Sequence, residues 1–383
     1  MPRGIKRFFG NLTLSALSLA LCLFVLEFGV FAHWLVPDDV IRNVSSNGVV
    51  RYEPNTHARF HNPDGSVFRV NINADGWNST KSRYAVEKTP GTLRIAVIGD
   101  SYVQAATVNV DENFAEVMER RLKAQGIDAD VYRFGMDGAP LSQYLHMLRR
   151  EVVRYRPDIV LVPLIHNDFD ESYRLISTRY ASSFLKIVPD GKGKFTEVAP
   201  ADFTPGLADR LRDLRTFRYV YYETGLYKGI GATMKSLWWG GEAHARAAEY
   251  VSSGVDIRNI GDHDTIRAVT RYILKQMQAL SREKGFRLVF AMDGVREAVY
   301  SGRPRSRYAV AALNEMAADL TRELKLPFLD LQNTFADDFR HKKQRFEYDW
   351  DWHWNAYANR LVGETLAAFI ASNRPAAGKR SNR

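Results

Sequence analysis

The chain has 383 residues, of which 45% are hydrophobic and 25% are charged, and its formal net charge is +9. This is the composition of an ordinary globular protein with a large core, so it excludes a wholly disordered chain. The positive charge is not gathered into basic runs interleaved with aromatic residues, so we expect no nucleic-acid partner and consider an anionic glycan or a membrane surface instead.

The amino terminus has the pattern of a membrane-spanning segment. Basic residues precede a nearly all-apolar stretch at 12–36, in which Glu27 is the one acidic interruption. About 20 apolar residues are enough to cross a bilayer. The basic flank predicts that residues 1–11 lie in the cytoplasm and that the rest of the chain is extracytoplasmic, hence periplasmic in a Gram-negative cell.

Whether this segment is removed depends on its length and on its cleavage signal. Val30-Phe31-Ala32 resembles a signal-peptidase site, but the apolar stretch is longer than a usual signal-peptide core, so we favour an uncleaved signal anchor. Cys22 is the only cysteine, so an intrachain disulfide is excluded. In Leu19-Ala20-Leu21, directly before it, a bulky leucine stands where a lipoprotein signal needs a small residue, and we interpret Cys22 as a membrane-embedded apolar side chain.

An irregular lead-in follows over 37–92, punctuated by proline and glycine. Within it, the alternating stretch Val67 to Ile72 predicts a strand of a small hairpin. Phe68 and Trp77 are predicted to pack this arm onto the main domain.

The stretch from Leu93 to Gln104 reads LRIAVIGDSYVQ. Its almost unbroken apolar run predicts a parallel strand buried on both faces. The run ends at Gly99-Asp100-Ser101, and a helix is predicted to follow. A hydroxyl at that turn lies at the carboxyl edge of the sheet, where open α/β sheets bind ligands, so Ser101 is a candidate nucleophile. The same tripeptide also fits a plain polar turn in which Asp100 or Ser101 caps the helix.

A strand-helix rhythm continues along the chain. Further strands are predicted at Asp130 to Phe134, Ile159 to Leu164, Arg287 to Ala291 and Pro327 to Leu331. Helices are predicted near 112–125, 141–155, 264–284, 307–324 and 355–371. The alternation of strands and helices is interrupted at about 170–260. We interpret this stretch as an insertion over the sheet edge that shapes a substrate site. The basic tail at 374–383 is predicted to be disordered.

Five strands alternating with helices predict an α/β domain with a parallel sheet covered on both sides. This domain is expected over 93–373, after the 37–92 arm and the 12–36 anchor. The order and spacing of four short blocks then resemble the GDSL, or SGNH, hydrolase superfamily, here as a membrane-anchored bacterial-type member. The blocks are Gly99-Asp100-Ser101, Phe134 to Gly138, Asn167-Asp168 and Asp351 to Asn355. The resemblance covers about 93–168 and 286–371, and it implies a flavodoxin-like three-layer α/β/α sandwich.

The resemblance also implies a catalytic role for each block. Ser101 would be the nucleophile, and a serine hydroxyl needs a base to take its proton. His353 suits that role because its ordinary pKa lies near neutrality. The family's acid often stands three residues before the histidine, where this chain has Trp350, so we choose Asp351 to orient the imidazole and keep Asp349 in reserve.

Oxyanion donors are implied at two further blocks. The Asn167 amide and the backbone N–H groups of Gly138 and Ser101 would stabilise a tetrahedral intermediate. A residue without Cβ at 138 lets the backbone approach substrate closely. Each also has a plainer interpretation, with Gly138 and Asn167 as turn formers and His353 as part of an aromatic cluster.

The chain departs from the family pattern at several supporting positions. Ala105 replaces a frequent glycine, Arg133 a frequent asparagine, and Ile165 and His166 a frequent glycine pair. None of these changes removes a catalytic atom, but they bear on the shape of the pocket. His166 could contact substrate or simply end a strand.

These observations favour a serine esterase that hydrolyses O-acyl, chiefly O-acetyl, esters on a surface carbohydrate through an acyl-enzyme. The expected partners are an acylated glycan or lipid ester and, through the N-terminal helix, the membrane. One alternative is an O-acyltransferase with the same triad, and another is an inactive scaffold that binds glycan or an assembly partner. No cofactor or metal is expected, because the nine histidines form no Cys/His cluster with metal-ligand spacing.

Overall fold

The computed structural model describes residues 3–62, 64–173, 181–223, 250–251, 255–256 and 262–374. The chain divides into two compact units. The smaller unit comprises Met1–Arg42, Ala58–Phe60 and Thr204–Arg246, and the larger unit comprises Asn43–His57, His61–Phe203 and Ala247–Arg383.

The strands of the described residues are β1 (Asn43–Ser46), β2 (Val49–Tyr52), β3 (Thr56–His61), β4 (Val67–Ile72), β5 (Leu93–Gly99), β6 (Ala129–Gly135), β7 (Ile159–Leu164), β8 (Lys186–Pro189), β9 (Phe195–Val198), β10 (Tyr250–Val251), β11 (Val255–Asp256), β12 (Arg287–Met292) and β13 (Phe328–Asp330). The α-helices are α1 (Arg3–Val25), α2 (Phe31–His33), α3 (Ser101–Gln104), α4 (Phe114–Ala124), α5 (Leu141–Arg150), α6 (Leu207–Leu211), α7 (Arg215–Arg218), α8 (His263–Lys284), α9 (Arg296–Ser301), α10 (Ala311–Glu323), α11 (Gln332–Lys342) and α12 (Ala356–Asn373).

A five-stranded parallel sheet with the order β13-β12-β7-β5-β6 forms the centre of the larger unit. Taken in chain order within the sheet, this is the flavodoxin-like order 2-1-3-4-5. Every residue of β7 is buried, as are all but the first residues of β5 and β12, so helices cover both faces. The predicted α/β fold with five parallel strands is therefore confirmed.

The strand order places the functional blocks at a known position in such sheets. The chain leaves β5 in one direction to form β6 and then crosses to the other side of β5 to form β7. The carboxyl ends of β5 and β7 thus flank the topological switch point, where doubly wound sheets bind their ligands. Ser101 follows β5, Gly138 follows β6 and Asn167 follows β7.

The observed helices differ from the predicted ones mainly in short polar stretches of the chain. The helix predicted over 141–155 ends at Arg150 and continues as a 3-10 turn at Val152–Tyr155. The sequence pattern did not predict α9 or α11. Phe335 is the one buried residue of α11, so this helix lacks the apolar stripe that makes a helix recognisable in a sequence.

The lead-in arm is attached to the larger unit by a buried ion pair and by aromatic packing. Arg51 on β2 makes a bidentate contact with Glu151, with Nη1–Oε1 at 3.0 Å and Nη2–Oε2 at 2.8 Å. Trp77 is fully buried and meets Phe134 of β6 edge-on at a ring-centroid distance of 5.4 Å. The 37–92 segment thus carries short strands, β1 to β4, and much of it packs as part of this unit's core.

The smaller unit combines the N-terminal helix with part of the insertion. The helical stretch Arg7–His33 is apolar and long enough to cross a membrane, and it equally fits a signal sequence. It includes a π-helical turn at Leu26–Val30. The insertion was expected to lie over the sheet edge, but 204–223 clusters with this N-terminal helix, while β8 and β9 belong to the larger unit. Much of the remaining insertion, and the tail beyond Arg374, lie outside the described residues.

Candidate active site

Ser101 is the first residue of α3, directly after β5. The Asp100 side chain caps this helix, because its Oδ1 accepts the Tyr102 N–H at 2.9 Å. A β-carbon at Gly135 would lie 2.1 Å from the Gln104 nitrogen, so only glycine lets α3 pack this closely against β6. The first N–H groups of α3 have no partner within the helix and point toward the space at its amino end.

Ser101, His353 and Asp351 form one continuous chain of hydrogen bonds. Ser101 Oγ lies 2.7 Å from His353 Nε2, and His353 Nδ1 lies 2.5 Å from Asp351 Oδ1. Ser101 and His353 are 252 positions apart in the sequence. When Nδ1–H donates to the carboxylate, Nε2 is left as the acceptor for the serine hydroxyl proton.

The two-residue spacing of Asp351 and His353 is what brings the carboxylate to the ring. Asp351 Oδ1 also accepts the backbone N–H of His353 at 2.7 Å, which is the turn that aspartate side chains form with the N–H two residues ahead. The imidazole is thus held by Asp351, the chosen acid, and not by the reserve residue Asp349. His353 and Asp351 keep 29% and 30% of their side chains exposed, so substrate can reach them.

Gly138 and Asn167 follow the two strands that flank β5. Gly138 has φ +66°, a left-handed conformation that favours glycine, and no atom lies within 4 Å of the position of a β-carbon there. Asn167 lies in a 3-10 turn at His166–Asp168. Its amide donates to the Glu171 carboxyl group, and its Oδ1 is buried without a hydrogen-bond partner among the described atoms.

The charges around the imidazole favour its protonated form. Burial lowers the pKa of His353, but the hydrogen bond and the charge of Asp351, helped by Asp100 and Asp137, outweigh burial and leave the pKa above its ordinary value. Burial raises the pKa of Asp351, but its contacts with His353 lower it further than burial raises it. The pair therefore stabilises an imidazolium at His353.

Further carboxyl groups lie buried behind this edge of the sheet. Burial raises the pKa of Asp100 to about 7, and burial together with Asp170 and Asp100 raises that of Glu171 to about 8. Burial and the nearby Asp100 also raise the pKa of Asp168, whose Oδ1 accepts the Tyr144 hydroxyl at 2.5 Å. Near neutral pH, Glu171 is thus largely uncharged.

A buried arginine, which the sequence pattern did not single out, holds the histidine loop. Arg296 is 1% exposed and donates to Tyr102 Oη at 2.9 Å and to Glu347 Oε2 at 3.2 Å. Tyr102, the neighbour of Ser101, in turn donates to the Trp352 carbonyl at 2.8 Å. The loop between Glu347 and His353 is therefore tied to α3 through one guanidinium.

Asp293 completes this network from the end of β12. It lies 3.4 Å from the Arg296 guanidinium, and its Oδ1 accepts the Trp354 indole N–H at 3.1 Å. A sequence signal existed, since Asp293 and Arg296 directly follow a buried strand, but nothing in the pattern indicated their partners. His166 is fully buried with Nε2 2.8 Å from Asn314 Oδ1, which supports the strand-end interpretation.

The comparison with protein families agrees with this site. The profile of the GDSL-like Lipase/Acylhydrolase family matches residues 97–361. This range includes all five predicted site residues, and the chain belongs to this family. It is an SGNH-type hydrolase that acts on ester bonds. A comparison with curated protein sequences gives no match.

Several solved structures are similar to this chain at low sequence identity. An acetyl xylan esterase, AlAXEase, has 11% identity and a TM-score of 0.38, with 73% of this chain and 98% of that chain covered. A lipase/acylhydrolase from Enterococcus faecalis has 14% identity and a TM-score of 0.40, covering 75% and 99%. The esterase EstA from Pseudoalteromonas sp. has 10% identity and a TM-score of 0.37, covering 73% and 97%.

Replacing Arg296 tests the importance of the buried network. Arg296→Met removes the cation from between two buried carboxylates, so we expect the free energy of unfolding to fall by about 3–5 kcal/mol. The matched control is Arg322→Met, which breaks an exposed ion pair with Asp319 and should change stability by less than about 1 kcal/mol. Urea unfolding of both variants measures the difference, and equal stabilities would contradict a structural role for the network.

Proposed function

We propose that the protein is an extracytoplasmic, membrane-anchored serine esterase that removes O-acyl groups, chiefly O-acetyl, from a surface carbohydrate. Ser101, His353 and Asp351 are the proposed triad, and Asn167 and Gly138 the proposed oxyanion donors. The single observation that carries the proposal is the continuous hydrogen-bond chain from Ser101 Oγ through His353 to Asp351.

In the proposed acylation step, His353 Nε2 takes the proton of Ser101 Oγ as the oxygen attacks the ester carbonyl carbon. The carbonyl electron pair moves to its oxygen, giving a tetrahedral oxyanion. When this intermediate collapses, the carbon–oxygen bond to the sugar breaks, and the leaving alcohol takes the proton from Nε2. Water then attacks the acyl-enzyme by the same route, which releases the free acid and restores Ser101.

The proposed oxyanion site uses one hydrogen of the Asn167 amide. An amide nitrogen carries two hydrogens, and the contact with Glu171 uses one of them, which orients the other. The N–H groups of Ser101 and Gly138 would add two donors from the ends of neighbouring strands. Donors held in place before the reaction stabilise the developing charge without reorganisation.

A carbohydrate substrate is favoured by two exposed tryptophans on the histidine loop. Trp350 and Trp352 keep 42% and 44% of their surface exposed, and Trp350 stacks on Tyr348 with ring centroids 5.0 Å apart. Large exposed aromatic surface beside a catalytic group is characteristic of a binding site. The flat apolar face of an indole complements the C–H face of a sugar ring, so these side chains would hold the glycan near Ser101.

Retention of the N-terminal helix is favoured by its contacts within the smaller unit. Phe31 is buried and stacks on Tyr219 at a ring-centroid distance of 4.5 Å, and Glu27 accepts backbone hydrogen bonds from Arg215 and Thr216. Cleavage after Ala32 would remove both contacts. We therefore propose an uncleaved anchor at 12–36, with the 37–92 arm and the hydrolase domain at 93–373 outside the cytoplasm.

The proposed chemistry is tested by ester hydrolysis with the full-length chain in detergent. Ser101→Ala should reduce turnover of an activated acetyl ester and of an O-acetylated polysaccharide by roughly a thousandfold or more, with unchanged folding by circular dichroism. Asp351→Asn should also cause a large loss, because the imidazole would lose its orienting carboxylate. Asp349→Asn is the matched control and should retain activity.

Equal rates in wild type and Ser101→Ala would remove Ser101 from the mechanism and favour a binding scaffold. Acyl transfer to an added glycan in place of free acid release would reassign the enzyme as an O-acyltransferase.

The glycan assignment is tested by comparing two substrates in tryptophan variants. Trp352→Ala should raise the KM for the polysaccharide roughly tenfold, which corresponds to about 1.4 kcal/mol, and leave kcat/KM for p-nitrophenyl acetate within about twofold. Trp352→Phe keeps an aromatic face and should retain most of the affinity. An equal effect of Trp352→Ala on both substrates would argue against sugar stacking.

A further inference from the structure

The acidic interruption of the N-terminal helix is bound by a distant part of the chain. Glu27 Oε1 accepts the N–H of Arg215 and Oε2 accepts the N–H of Thr216, each at 2.8 Å. These are the first residues of α7, whose N–H groups have no partner within the helix. This contact and the stacking of Phe31 on Tyr219 hold residues 207–221 against the apolar helix. We refer to residues 207–221 as the interfacial segment.

The depth of this contact follows from the length of the helix. An α-helix rises about 1.5 Å per residue, so about 20 residues cross a hydrocarbon core of about 30 Å. Counted from Arg7, the last basic residue before the apolar stretch, the core ends close to Glu27. Leu23 and Phe24 then lie within the outer part of the hydrocarbon, and Glu27 lies at its boundary.

The interfacial segment meets the helix at that same depth. Leu23, Phe24 and Phe28 of the helix line a cleft of about 560 Å³ together with apolar residues of the segment. The residues contributed by the segment include Leu211, Leu214, Phe217 and Val220. An unpaired carboxylate at the edge of the hydrocarbon would have a high desolvation cost, and the hydrogen bonds from the N–H groups of the segment offset that cost.

The interfacial segment carries exposed apolar residues and a net positive charge, with four arginines against Asp209 and Asp213. Leu207 is 75% exposed, and Leu211, Leu214 and Val220 are also exposed. Arginines alternate with them at positions 210, 212, 215 and 218. Exposed apolar residues interleaved with arginine are typical of segments that lie in the plane of a membrane surface, where long cationic side chains reach the headgroups.

We propose that residues 207–221 lie in the outer interface of a phospholipid bilayer, beside the N-terminal helix, with their leucines in contact with lipid acyl chains. The proposal rests on the membrane anchor proposed above and adds a second point of membrane contact. Lipid is the occupant because the exposed leucines are continuous with an apolar helix that itself has the length and composition to cross the bilayer.

Site-specific fluorescence in vesicles tests the proposal with the full-length chain. Cys22→Ser removes the only cysteine, so Leu211→Cys and Leu214→Cys can each be labelled with an environment-sensitive NBD probe. Leu17→Cys, within the apolar helix, reports insertion of the anchor. Lys192→Cys, in the exposed turn between β8 and β9, is the matched control for a site in water. The vesicles contain phosphatidylcholine and phosphatidylglycerol, with nitroxide-labelled lipids as quenchers.

We expect the probes at 211 and 214 to emit at shorter wavelength than the probe at 192, and shallow nitroxides to quench them. Deep nitroxides should quench the probe at 17. Quenching of the probe at 17 with no quenching of the probes at 211 and 214 would overturn the interface proposal and leave the anchor standing. If the probes at 211 and 214 emit at shorter wavelength but lipid nitroxides do not quench them, a protein contact, such as a second copy of this chain, occupies the surface instead of lipid. Absence of quenching at 17 would reject the anchor itself.

Discussion

The hydrogen bond between Ser101 and His353 is the contact on which the account of this molecule depends. The two residues lie 252 positions apart, so the bond forms only when β5 and the loop before α12 meet at the same edge of the sheet. The strand order makes this contact possible, because it places the topological switch point next to β5. The polar groups at this edge of the sheet thus come from the ends of elements that are far apart in the sequence.

The histidine loop is kept in position by buried charge and not by packing alone. Arg296 donates hydrogen bonds to the hydroxyl of Tyr102, the neighbour of Ser101, and to the Glu347 carboxylate at the start of the loop. Tyr102 also packs its ring against the His353 imidazole, with centroids 4.8 Å apart. Burying these charges has an electrostatic cost, which the mutual contacts offset. The gain is a loop whose geometry is set before substrate arrives.

The sequence was sufficient where a local pattern encodes the structure. The apolar runs of β5 and β7 predicted buried parallel strands, and the short motifs at Ser101 and His353 predicted the residues that the fold brings together. It was insufficient where a structure depends on distant partners. The pairing of Arg296 with Glu347 and that of Glu27 with Arg215 leave no periodic trace, and α11 has too few buried residues to form a stripe. The strand-end blocks could therefore be predicted, but their supporting contacts could not.

The most direct test of the central claim is the rate at which a serine-directed phosphonate labels Ser101 at different pH values. His353 can take the serine proton only when it is neutral, and Asp351 holds its pKa above the ordinary value. We therefore expect one adduct, on Ser101 by mass spectrometry, whose rate rises as pH passes through the raised pKa of His353 and then levels off. In Asp351→Asn the rate should be lower, and its rise should shift to lower pH. Labelling that is independent of pH, or an adduct on another residue, would contradict the account.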